Sequence, residues 1–186
     1  MINKLYTKYA CTWQTQGTIF TLKYDDEEHM QELEKIIKEN IGVLDYKTNV
    51  LAKMTDYSFF VEHPSFKKLG QWFYGKVYEH QLVDKQYFQE DRFHAQIRDA
   101  WGSVFNKGDS VKRHDHLGSK YASALYFDNY ANLQTEVGEF QTERGLIITI
   151  PSHLKHWVDP LSNEVNRINL VWNWFARTSQ QIKDQI

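Results

Sequence analysis

The sequence predicts a mainly β fold, a sandwich or barrel of the jelly-roll kind buttressed by two helices, and three observations lead there. From Phe93 onward, short β-favouring segments alternate with the turn signals N-K-G-D at 106–109, D-N at 128–129 and L-S-N-E at 161–164, the rhythm of an all-β architecture. Two stretches of the preceding half carry apolar residues at helical spacing instead. No internal repeat and no linker composition divides the halves, so the 186 residues are expected to share one core. That single domain would have helical and strand support over 1–92 and a jelly-roll core over about 93–175.

The first expected strand lies within A-C-T-W-Q-T-Q-G-T-I-F-T-L-K-Y at 10–24, which is rich in Thr, Ile, Phe and Tyr. A helix follows. Met30, Leu33, Ile36, Ile37 and Ile41 repeat at helical spacing, Asp25 to Glu28 suit the positive end of the helix dipole, and Gly42 supplies a stop. A second helix is expected over about 64–82, with Phe66, Leu69, Trp72, Phe73 and Val77 on one face as core. The strands of the second half are expected at 94–105, 110–116, 123–127, 146–150, 156–158 and 167–174, with 130–140 as a loop.

Composition narrows the class. Apolar residues make 41% of the chain and aromatic residues 15%, which excludes a disordered or low-complexity protein. A formal charge of −2 with no long like-charge run does not indicate nucleic acid. No window reaches the length of an apolar membrane span. One cysteine, Cys11, and an opening M-I-N-K-L-Y-T-K-Y without the apolar core of a signal peptide point to a reducing cytoplasm.

The chemistry is concentrated in V-K-R-H-D-H-L-G at 111–118. On a strand, His114 and His116 project to one face while Asp115 points the other way, so the two imidazoles can share a metal ion. A solvated strand end is the alternative for this octapeptide alone. Downstream, G-L-I-I-T-I-P-S-H-L-K-H at 145–156 ends on a third imidazole, His156. Eleven residues later, R-I-N-L-V-W-N-W opens with Arg167 on an otherwise apolar strand, where a buried guanidinium calls for a carboxylate; for Arg167 alone, a strand-end arginine with its head in solvent is the alternative.

These pieces, in this order, resemble the 2-oxoglutarate- and iron(II)-dependent oxygenases, in particular the small bacterial and phage branch similar to prolyl 4-hydroxylases. That family carries H-x-D/E or H-x-H on one jelly-roll strand, G-x-L-x-x-x-P-S-x-x-x-H near the opposite rim and R-x-S about ten residues on. Here they read His114-Asp115-His116, Gly145 to His156, and Arg167-Ile168-Asn169. A-W-G-S-V-F-N-K-G-D at 100–109 and S-A-L-Y-F at 123–127 are similar to the same branch, and the likeness runs over roughly 97–174. It implies a double-stranded β-helix, cupin-like in outline, with iron(II) bound by His114, His116 and His156. It also implies that 2-oxoglutarate chelates the iron, that Arg167 pairs with its distal carboxylate, and that dioxygen drives hydroxylation of a substrate with release of succinate. Asn169 would help to hold the cosubstrate; Tyr126 either reaches it too or is a packing residue of its core strand.

Two departures from the family pattern stand out. Position 116 is His where a carboxylate is usual, which makes a three-His site; Asp115 would replace it only if the strand twists or bulges there. Asn169 stands where the family often has Ser, on the same strand face as Arg167. His156 is the expected third ligand rather than His153, because its interval to Arg167 matches the family. His29, His63, His80 and His94 are expected to be surface or core residues. Lys112, Arg113, Lys120 and Lys155 form either a solvated rim or an attraction for an anionic substrate. The expected assembly is a monomer or homodimer. Two rival readings are a cupin-like three-His metalloprotein that does not use 2-oxoglutarate, leaving Arg167 without an anion, and a non-enzymatic phage or bacterial jelly-roll module with no iron affinity.

Overall fold

The computed structural model describes residues 7–10, 16–42, 44, 48–83, 97–162 and 166–174. Twelve strands and two helices are described. They run β1 (Thr7–Ala10), β2 (Gln16–Lys23), α1 (Glu27–Asn40), β3 (Val50–Leu51), β4 (Lys53–Met54), α2 (Pro64–Glu79), β5 (Ile97–Phe105), β6 (Ser110–His114), β7 (Tyr121–Tyr126), β8 (Leu133–Thr135), β9 (Gly138–Phe140), β10 (Leu146–Pro151), β11 (His156–Val158) and β12 (Arg167–Trp174). They form two antiparallel sheets, a seven-stranded one in the order β1-β2-β10-β7-β12-β5-β4 and a five-stranded one in the order β3-β6-β11-β8-β9. This is the expected mainly β double-stranded β-helix.

Helix α1 starts where Asp26 accepts the His29 N–H at 3.0 Å, with Glu27 and Glu28 in the first turn. Its buried face of Met30, Leu33 and Ile37 lies against the large sheet. Helix α2 has Pro64 at its first position, and the His63 imidazole caps it by accepting the Ser65 N–H at 3.3 Å. Phe66, Leu69, Phe73 and Val77 fill the same layer, with the Phe73 ring edge-on to Trp172 at 5.2 Å between centroids. Gly102 on β5 is what lets α1 approach so closely, since a Cβ there would stand 2.5 Å from Ile37 Cγ1.

Strand alternation then sorts β12 into two faces. Ile168, Leu170, Trp172 and Trp174 pack under the helices, while Arg167, Asn169, Val171 and Asn173 face the space between the sheets. Their cross-strand neighbours complete four rows. Arg167 stands opposite Phe105; Asn169 lies between Ser103 and Tyr126, Val171 between Trp101 and Ala124, and Asn173 between Asp99 and Ala122.

Some expected boundaries move. The strand expected over 110–116 ends at His114, because the chain turns out of the ladder when the His116 N–H bonds the Ser152 carbonyl at 2.7 Å. The span 130–140, expected as a loop, is the β8–β9 hairpin, tied by pairing of Leu133 with Phe140 and Thr135 with Gly138. Its three-residue strands are too short for a periodic signal. The second helix ends at Glu79 rather than about 82. Cys11, His94, and residues 163 and 164 of the expected turn lie outside the described residues.

Candidate active site

His114 ends β6 and His156 begins β11, and these two strands pair so that the two residues stand directly opposite each other. His116, two residues past the strand end, closes the group. The ring centroids lie 4.4 Å apart for His114–His156, 4.9 Å for His114–His116 and 4.9 Å for His116–His156. One ring nitrogen from each can be chosen so that all three lie within 4.8 Å of one another. The Nε2 atoms of His116 and His156 are 3.2 Å apart. Two imidazoles bound at right angles to one ion, with bonds of about 2.1 Å, place their nitrogens about 3 Å apart.

The backbone fixes which nitrogen two of the three rings offer. The His114 Nδ1–H donates to the Lys112 carbonyl at 2.7 Å, and the His156 Nδ1–H to the Leu154 carbonyl at 3.0 Å. A carbonyl only accepts, so both rings hold their proton on Nδ1 and turn an unprotonated Nε2 inward, the tautomer a metal needs. Burial holds the protonation equilibria of all three below the ordinary imidazole range. That burial, with a smaller contribution from the neighbouring imidazoles, puts His116 well below it and His156 at about 4. The cluster is therefore neutral at pH 7, the charge state in which imidazoles bind a metal.

Asp115 is not one of the group. Its Oδ1 accepts the Leu117 N–H at 3.3 Å, a local turn contact. His153 lies in the turn after Pro151 and is also outside the cluster. His29 is buried against the Tyr24 hydroxyl at 2.6 Å, His63 caps α2, and His80 follows the last residue of α2.

The cavity behind the imidazoles is closed by Arg167. Its side chain is 0% exposed, and none of its three guanidinium nitrogens has a well-aligned hydrogen-bond partner. Its Cζ lies 5.1 Å from the centre of the Phe105 ring and 5.3 Å from that of Tyr126. Burial pulls the guanidinium below its ordinary value, and Tyr126 and the Asp128 carboxylate restore part of it. In the next row, Asn169 Oδ1 and Ser103 Oγ are buried without partners as well. Folded proteins rarely leave such groups orphaned. Here the orphans face the same cavity as the three imidazoles.

The basic residues 112, 113, 120 and 155 do not line the mouth of that cavity; Arg98, Asp99 and Asp115 do. Arg113 is turned outward, ion-paired with Glu136 and stacked 5.2 Å over the Trp157 ring. The sequence reading missed Ser103, Asp99 and Asn173 as cavity residues. A period-two reading of 99–105 would have placed 99, 101, 103 and 105 on one face, but nothing local says that this face meets the imidazoles.

Fold and site together define a double-stranded β-helix with three imidazoles and a buried guanidinium around one cavity. No family model matches the chain, and no curated protein matches it in sequence. Solved structures do match. A prolyl-4-hydroxylase from Pseudomonas putida superposes with a TM-score of 0.57 at 12% identity, over 86% of this chain and 92% of that one. A viral collagen prolyl hydroxylase from Paramecium bursaria Chlorella virus-1, solved as a 2-oxoglutarate complex, gives 0.59 at 11% identity, over 83% and 94%. An oxidoreductase of the 2-oxoglutarate-Fe(II) oxygenase family from Burkholderia pseudomallei gives 0.54 at 11%, over 86% and 85%. The chain has the fold of these proteins. No helix among the described residues is long and apolar enough to cross a membrane.

Proposed function

We propose that the protein, as one domain, is an iron(II)- and 2-oxoglutarate-dependent oxygenase that hydroxylates a substrate while 2-oxoglutarate is decarboxylated to succinate. The observation that carries this reading is Arg167: a fully buried guanidinium, stacked on Phe105 and Tyr126 and with no aligned hydrogen-bond partner among the described residues, in the cavity that the three imidazoles close. The donor set fits the metal. Three neutral imidazoles, two of them held by backbone carbonyls at Nδ1 so that Nε2 is left for a ligand, suit a divalent first-row ion, and Asp115 does not join them. The orphan donors fit the cosubstrate, because the planar Arg167 guanidinium holds a carboxylate through two parallel hydrogen bonds and the Ser103 hydroxyl can donate a third.

When bound, iron(II) with 2-oxoglutarate supplies the oxidising chemistry, coupling the reduction of dioxygen to decarboxylation and to insertion of oxygen into a C–H bond. The chain does the rest. Lys112 and Leu154 carbonyls orient the His114 and His156 rings. Arg167 fixes the far end of the cosubstrate, with the Ser103 hydroxyl and the Tyr126 phenol as further donors and the Asn169 side chain beside them. The Phe105 and Tyr126 rings keep water off the ion pair, which strengthens it. The alternative three-His metalloprotein without 2-oxoglutarate gives Arg167 no anion. A single cysteine in the sequence fits a cytoplasmic setting.

The test is anaerobic titration of iron(II)-loaded protein with 2-oxoglutarate, followed by the weak visible charge-transfer band of a chelated keto acid. The band is expected at one equivalent per chain. Its absence from protein that holds one iron overturns the reading.

A further inference from the structure

Beyond the imidazoles, on the side away from Arg167, lies an outer cavity that cosubstrate binding leaves unused. A β-bulge shapes it. Asn173 pairs with Asp99 and Trp174 with Ile97, so Arg98 is an extra residue on β5. The alternation resets there, and Arg98 and Asp99 both line the outer cavity beside His114 and His116. Arg98 lies across Gly118, whose φ of +100° and lack of a Cβ, which would stand 2.9 Å from Arg98 Nη1, leave it room.

The polar groups of this cavity have a direction. Asn173 Nδ2–H donates to Asp99 Oδ2 at 3.3 Å, and a carboxylate only accepts. Asn173 Oδ1 is thereby left as an acceptor, buried and without a partner. Trp101, one row inward and 6.2 Å between ring centres from His116, has a buried Nε1–H with no partner. Its ring and that of Tyr57, edge-on at 4.8 Å, form an aromatic wall. Two carboxylates, Asp99 and Asp115, face the cavity against one guanidinium, Arg98, which is 55% exposed with its Nε 3.5 Å from Asp99. A surplus carboxylate, an orphan amide oxygen and an aromatic wall together favour a cation that donates hydrogen bonds.

We propose that the outer cavity is the primary-substrate subsite and that its substrate bears an ammonium or guanidinium group. Asp99 and Asn173 Oδ1 hold that group, and the Trp101 indole N–H donates to a carbonyl of the same molecule. The carbon chain between the two anchors then crosses the face of the imidazole cluster. This assignment rests on the oxygenase reading, but the subsite is built from protein groups alone and its binding is measurable without metal.

The test is isothermal titration of the full chain, first metal-free and then loaded with iron(II) and 2-oxoglutarate under argon. The probes are the Nα-acetyl methylamides of lysine, arginine, norleucine and glutamate, together with butylamine. Lysine or arginine probes are expected to bind at least about tenfold tighter than norleucine, as one charge-assisted hydrogen bond predicts. Asp99→Asn should erase that preference while leaving norleucine binding unchanged, and Arg98→Ala, by freeing Asp99, should increase it. The lysine derivative should outbind butylamine, which has no carbonyl for the Trp101 indole N–H; equal binding of the two overturns the carbonyl anchor. Equal binding of the cationic, neutral and anionic probes, no binding of any, or a weaker cation preference in Arg98→Ala overturns the proposal. The charge-transfer titration of the same protein is independent of these outcomes. A cation preference without the band retires the oxygenase reading alone, and the band without a cation preference retires the subsite alone.

Discussion

Replacing Arg167 by Met separates a ligand-binding arginine from a structural one, because the two roles predict opposite signs for stability. In the ligand-free protein the side chain is fully buried and its three guanidinium nitrogens have no aligned partner. Each such group costs about 1–3 kcal/mol relative to water. The stacking on Phe105 and Tyr126 returns about 1–2 kcal/mol per contact. Three such nitrogens against two such contacts leave Arg167→Met, which has no buried polar atoms of that kind, about 3 kcal/mol more stable than the parent at central values. For a chain of this size that is a rise in Tm of roughly 6–12 °C by differential scanning calorimetry. The same substitution removes a charge-assisted bidentate pair, so 2-oxoglutarate affinity of the iron-loaded protein should fall by about 2–5 kcal/mol, roughly thirtyfold or more in Kd. Arg167→Lys should recover only part of it, since an ammonium keeps the charge and loses the planar fork. A lower Tm for Arg167→Met together with unchanged 2-oxoglutarate binding would refute the reasoning and make Arg167 a structural cation.

Three further outcomes follow from the geometry. His156→Ala should abolish stoichiometric binding of one divalent metal, while His153→Ala and Asp115→Ala, which lie outside the cluster, should retain most of the affinity; metal analysis after gel filtration checks all three. Gly102→Ala should destabilise the fold by about 1–3 kcal/mol in urea unfolding, because its Cβ would meet Ile37 at 2.5 Å and force α1 off the sheet. The metal-free protein should lose stability as pH falls from about 6.5 to about 4. His156 is held to about 4 in the folded chain and returns to its ordinary value on unfolding, so the unfolded state binds more protons throughout that window. Full expression of that shift is about 3 kcal/mol, measured as Tm against pH, and His156→Gln should flatten the curve.

The sequence by itself determined the strand rhythm of the second half, the two helical faces and the order of the site motifs, because these are local signals. Period-two alternation put Asn169 on the face of Arg167, and the cross-strand register bears this out. The same alternation put His114 and His116 together. They do meet, but through a turn after His114 rather than a continued strand, since the His116 N–H finds the Ser152 carbonyl from another part of the chain. Only the tertiary structure decided that the His156 ring faces His114 across a strand pair, and that Arg167 has no aligned hydrogen-bond partner among the described residues. Partners are a property of what folds nearby, not of the sequence at 167. It also decided the mouth. Residues 98 and 99 read as an ordinary strand start, and the bulge that turns both toward the imidazoles exists only in register with Asn173 and Trp174, about seventy-five residues away. Contacts at that separation leave no periodicity for a local reading to find.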